Sequence, residues 1–178
     1  MRRKNTTSDM MKGYMADALL LLMAKKSYVE ISISEITDRA GVNRSTFYRN
    51  FNSKDEIIKY YFNKIIYKHY DSLLETQSSI EDYLLEMFSY YYRLKKELIL
   101  IYKTGLAHII LESFNETFAK IHSDITTESR YATYYHTGGI YNNFLLWFEG
   151  GMKESPLEMT KIVLSYYPAG SRPYMWSK

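Results

Sequence analysis

Seven consecutive residues, Arg44-Ser45-Thr46-Phe47-Tyr48-Arg49-Asn50, set one wholly apolar ring among side chains that all carry hydrogen-bonding groups. As a short helix they would bury Phe47, joined by Phe51, and turn Arg44, Ser45, Thr46, Tyr48 and Asn50 outward. That is the chemistry of base-edge recognition. The planar fork of an arginine can pair with both acceptors of guanine, and Ser, Thr and Asn match other edges exposed in the major groove. Arg44 is the strongest single candidate for such a contact.

The surrounding sequence supplies the elements that would hold this helix. Ser32-Ile33-Ser34-Glu35 has the form of a capped helix start, a serine followed three residues later by an acid. A helix over 33–40 would place Ile33, Ile36 and Ala40 on one face at spacings of three and four. Gly41 follows where a tight turn needs positive φ, and Asn43 can cap the next helix. Ser53-Lys54-Asp55-Glu56, Ser79-Ile80-Glu81-Asp82 and Ser155-Pro156-Leu157-Glu158 mark three further starts. The strand signals are weak, the best being 28–33. The pattern predicts an all-α chain of about nine helices, over 8–26, 33–40, 44–50, 54–76, 80–93, 95–103, 105–122, 129–150 and 156–167. The ends, 1–7 and 170–178, are expected to fray.

Other chemistries lack their residues. The 178-residue chain has no Cys, which excludes disulfides and thiolate metal sites. His69, His108, His122 and His136 have no metal-ligand spacing, so no metal or other cofactor is expected. There is no Gly-rich phosphate loop and no serine in a nucleophile-elbow context, so an enzyme is not expected. The apolar run 18–24 is far shorter than the roughly 18 residues a membrane span needs, and the expected location is cytoplasmic. Charge is uneven. Residues 1–60 carry 11 basic and 7 acidic residues, against 12 and 13 in the remainder. The positive excess therefore lies where the outward-facing helix lies, a modest electrostatic hint of a polyanion.

These residues carry a resemblance. Ala40-Gly41-Val42, Ser45-Thr46-Phe47-Tyr48, Phe51 and Ser53-Lys54-Asp55-Glu56 look like the helix-turn-helix domain of the TetR family of transcriptional regulators, with Ala18, Leu22 and Met23 in the family's apolar places. Two positions depart from it. Ser27 stands where glycine is usual, so the first turn is expected to differ; Leu21 replaces a polar residue, so the first helix is expected to bury a wider face. The resemblance implies that Ser32, Ser34, Tyr48 and Lys54 touch phosphates, while Arg44, Ser45, Thr46 and Asn50 lie at or near bases. It implies a DNA-binding domain over 1–53 and a helical effector-binding and dimerisation domain over 54–178, with helix 4 joining them.

For the second domain the resemblance implies a homodimer on double-stranded DNA, made through the last two helices. Gly138, Tyr141, Phe144, Leu145, Phe148, Met159, Ile162, Val163 and Tyr166 are the expected interface. It also implies a small-molecule effector held among aromatic side chains, for which Phe62, Tyr70, Phe88, Tyr91, Tyr92, His108, Phe118 and Trp147 are candidates. The expected function is a ligand-responsive repressor on a palindromic operator. The alternative is a constitutive DNA-binding module whose helical body binds a protein partner. A third reading, a non-specific DNA coat, would show no preferred sequence.

Overall fold

The computed structural model describes residues 2–73, 79–121 and 126–167, with side chains described over 7–69, 79–117 and 126–167. Nine α-helices and no strand occur among the described residues: α1 Arg2–Met23, α2 Ile33–Ala40, α3 Arg44–Asn50, α4 Lys54–Leu73, α5 Ile80–Arg93, α6 Lys95–Lys103, α7 His108–Ile121, α8 Thr127–Glu149 and α9 Pro156–Leu164. No described helix is long and apolar enough to cross a membrane. Two compact units divide the chain inside α4, at Lys64 and Ile65.

In the first unit α1 packs on α2 and α3. Met15, Leu19, Ile31, Ile36, Phe47, Ile57, Ile58 and Phe62 form the buried core. Helix α1 starts at Arg2, not at residue 8. The weak strand signal at Tyr28 is a single 3-10 turn, Tyr28–Glu30. Ser27 has φ −57°, an ordinary value for an L-residue, so this turn needs no glycine. Leu21 does not widen the buried face of α1; it is half exposed, because it lies on the outer side of the helix.

In the second unit α5 packs on α9, and α8 packs on α6 and α7. The caps behave as the sequence expects. Ser79 accepts from the Asp82 N–H, and Ser155 and Glu158 form a reciprocal capping box with Pro156 in the first turn. An aromatic core fills the unit. Phe144 packs against Phe88, Tyr91, Phe114 and Trp147 at ring separations of 4.9–6.3 Å.

His69, on the distal part of α4, is buried, stacked on Tyr90 at 4.7 Å and edge-on to Tyr91 at 5.3 Å. Burial pushes its pKa down to about 4, and nearby Arg93 adds to the shift. The folded state therefore holds a neutral imidazole while the unfolded chain takes up a proton below pH 6.5. Its contribution is fully present above that pH and is lost as pH falls toward 4, by up to about 3 kcal/mol. Melting temperatures of the wild type and of His69→Phe, followed from pH 7.5 to 4.5, should diverge, with the wild type falling more steeply. Parallel slopes would remove His69 from the acid response.

Candidate nucleic-acid interface

The interface is built on α2 and α3. The Glu35 N–H donates to Ser32 Oγ at 3.2 Å, and the Ser32 N–H donates to the Glu35 carboxylate at 2.9 Å. This capping box fixes the start of α2. Lys26 donates to the same carboxylate. Those contacts, Lys26 first and Ser32 second, hold Glu35 down to about pKa 2. Gly41 ends α2 with φ +67°. A Cβ there would meet nothing within 4 Å, so glycine is required by the left-handed backbone and not by space. The Val42 N–H donates to Thr37 O at 3.0 Å and turns the chain into α3. Asn43 precedes α3 in extended conformation, but its side chain makes no cap. The Thr46 N–H donates instead to the Asn43 carbonyl at 2.8 Å.

Helix α3 divides as the side-chain types require. Phe47 is fully buried and Phe51 nearly so, their rings 6.1 Å apart. Tyr48 points the other way and is 55% exposed. Arg44 and Ser45 are exposed beside it. Arg44 Nη2 donates to Tyr48 Oη at 3.1 Å, with the guanidinium 5.7 Å from the ring centroid. The base-reading candidate and the phosphate candidate thus touch each other, which reduces the rotamer freedom each would lose on binding. Arg49 Nη2 donates to Thr46 Oγ1 at 3.0 Å. Ser32 and Ser34 are exposed on α2's first turn.

Two candidates are placed differently from the sequence expectation. Asn50 is half-buried, and both ends of its amide are engaged. Its Nδ2 donates to Thr46 O at 2.7 Å, and its Oδ1 accepts from Ser8 Oγ at 2.6 Å. It therefore ties the end of α3 to α1 and does not present an amide to a base edge. Lys54 is not an unconstrained point charge. Its Nζ donates to Tyr28 O at 2.8 Å and Ile31 O at 2.7 Å, and lies 4.5 Å from the Tyr28 ring centroid. Two of its three N–H donors are committed. The Tyr28 hydroxyl donates to Asp55; burial, and then Asp55, raise its pKa. Sequence reasoning missed this Tyr28–Lys54–Asp55 cluster. Its members lie 26 and 27 residues apart, beyond the reach of any helical periodicity.

The effector candidates do not form one group. Phe88, Tyr91 and Trp147 are buried together in the second unit, and Tyr92 stacks on Trp147 at 5.8 Å. Phe62 belongs to the core of the first unit. His108 is exposed at the start of α7, so it lines no interior site. The side chains of Tyr70 and Phe118 lie outside the described residues.

The expected dimer face also needs correction. Phe144, Phe148, Met159 and Val163 are buried inside the protomer. Gly138, Tyr141 and Leu145 are half-exposed, while Ile162 and Tyr166 are exposed. Sequence reasoning missed Tyr131, Tyr135 and Leu146, which α8 leaves exposed by 74%, 80% and 68%.

Residues 17–61 match the family model of bacterial regulatory proteins, tetR family. That span takes in the last two turns of α1, all of α2 and α3, and the first turns of α4. No curated protein matches the chain.

Proposed function

We propose that this chain, a DNA-binding transcriptional regulator of the TetR family, is a ligand-responsive repressor that binds a palindromic operator as a homodimer. The observation that carries the reading is the division of α3. Phe47 is locked in the core, and Arg44, Ser45 and Tyr48 face solvent from a helix fixed by the Gly41 turn. Arg44 and Ser45 read bases, and Ser34 and Tyr48 hold phosphates. Lys54 adds charge near the backbone through its remaining donor.

The dimer reading is supported by α8. Tyr131, Tyr135, Asn142 and Leu146 recur at spacings of four, seven and four, an exposed and uncharged stripe on one side of the helix. Gly138 and Gly139 lie at its middle. Each costs a helix interior about 1 kcal/mol relative to alanine. A Cβ at either would meet nothing within 4 Å in the protomer, so packing within one chain does not explain them. Close approach of a second α8 would. The effector reading rests on α7, where the buried hydroxyls of Ser113 and Thr117 have no hydrogen-bond partner among the described residues. A buried polar group left unsatisfied costs about 1–3 kcal/mol, and an apolar, partly aromatic ligand with a polar group would relieve that cost. A ligand that binds one arrangement of the dimer better than the DNA-competent one shifts the population away from the operator.

Selecting bound sites from a random DNA pool tests the reading. The expected consensus is an inverted repeat, with half-site centres about 34–36 Å apart or a multiple of that. An unrepeated consensus would remove the dimer from the reading. No consensus, with binding that only falls steeply with salt, would leave a non-specific DNA coat.

A further inference from the structure

The first unit has an open groove of mixed polarity that shares no residue with α3. Tyr14, Asp17, Ala18 and Leu21 of α1 and Arg39 and Ala40 of α2 line it; it encloses about 540 Å³ and opens to solvent. Ala18 is buried at its floor, while Tyr14 and Leu21 are 47% and 50% exposed. Met10, one turn before Tyr14, is also half exposed and continues the apolar strip along α1.

The charges indicate what covers it. Asp17 and Arg39 are both exposed, and neither is part of an ion pair or hydrogen bond among the described residues. A contact between two copies related by a two-fold axis must be self-complementary, with residue i of one copy meeting j of the other and j meeting i. One acid and one base bordering an apolar strip satisfy that requirement. Asp17 of each copy would face Arg39 of the other, and Tyr14 and Leu21 would close over the centre. We propose that the groove is a self-association surface, on which a second copy of this chain docks its own α1–α2 face. It would join the DNA-binding units of different dimers and couple the occupancy of neighbouring sites. Its place between dimers rests on the homodimer proposed above; the pairing of the two grooves does not.

Sedimentation of the full chain at rising concentration tests it, with circular dichroism confirming that each variant folds. The wild type is expected to pass from dimer to tetramer, and Leu21→Glu to stop at dimer. Asp17→Arg and Arg39→Asp each set like charges across the axis and should weaken tetramer formation at least tenfold. The double exchange D17R/R39D restores both pairs and should recover it to within a few-fold of wild type. A wild type that never exceeds dimer, with Leu21→Glu leaving that dimer intact, overturns the proposal, as does a double exchange no better than its single parents. Leu146→Glu separates the two readings. If it leaves a dimer that Leu21→Glu then dissolves, both surfaces hold. If Leu146→Glu changes nothing while Leu21→Glu alone dissolves the wild-type dimer, the groove stands and the α8 dimer falls.

Discussion

Alanine at both Arg44 and Tyr48 is expected to lower affinity for the selected operator by roughly 2–4 kcal/mol, about 30- to 1,000-fold, and to leave the fold intact. Both side chains are exposed, where substitutions usually change stability by less than about 0.5 kcal/mol. The two losses should not add, because Arg44 Nη2 donates to Tyr48 Oη and each variant disturbs the other residue's rotamer. The single variants then separate their roles. If Arg44 reads a guanine, Arg44→Ala relaxes preference at one base pair of each half-site while affinity for other DNA changes little. If it only neutralises phosphate, affinity falls uniformly and the salt slope drops by about 1 per site. Tyr48→Phe keeps the edge-on contact with Phe47 at 5.2 Å and removes only the hydroxyl. It should weaken binding without changing the consensus or the salt slope. Unchanged operator affinity in the double variant would remove α3 as the reader. Affinities measured by titration at two or more salt concentrations decide among these outcomes.

What could be read from the sequence was whatever a few adjacent residues determine. Ser32 with Glu35 and Ser155 with Glu158 are capping pairs three residues apart, and both form. Gly41 is fixed by its own φ. The inward Phe47 and outward Tyr48 follow from helical geometry once α3 is placed. The errors at Asn50 and Lys54 share one origin, contacts between residues distant in the chain. Asn50 belongs on the polar face by composition, yet Ser8, 42 residues earlier, captures its amide. Lys54 looks like a free cation until the carbonyls of Tyr28 and Ile31 approach it. Helix α8 was harder for a different reason. It has apolar or aromatic residues on both sides, so periodicity could not say which side faces the protomer core. Thr133, Thr137, Phe144, Trp147 and Phe148 take the inner side, and Leu146, left out of the expected interface, takes the outer one.

The largest stability effect should come from a residue of the second unit. Trp147 is almost wholly buried. Its ring meets Phe88 edge-on at 5.5 Å and Tyr92 in a stack at 5.8 Å. Its Nε1–H donates to Glu154 O at 3.1 Å, and its own carbonyl accepts from the Met152 N–H at 2.6 Å. Met152 is buried at φ +50° and follows Gly151 at φ +76°; Lys95 Nζ donates to its carbonyl at 2.7 Å. The indole thus joins the end of α8 to the residue just before the Ser155 cap, and so sets where α9 begins. Trp147→Ala removes the ring packing and this tie together. The expected cost is about 3–5 kcal/mol, or roughly 10 °C in melting temperature for a chain of this size. Trp147→Phe keeps most of the ring and loses the hydrogen bond, at a cost of about 1–2 kcal/mol. Operator affinity should fall in the same order. α8 and α9 carry the proposed dimer face, and a reader without its twin holds only one half-site. The loss should therefore be partly recovered at high protein concentration, unlike the loss in the Arg44 and Tyr48 variants. A Trp147→Ala chain that melts within 1–2 °C of wild type would show that the aromatic body does not depend on this ring. One that melts early yet binds operator with unchanged concentration dependence would separate α8–α9 integrity from DNA binding, and with it the dimer from the mechanism.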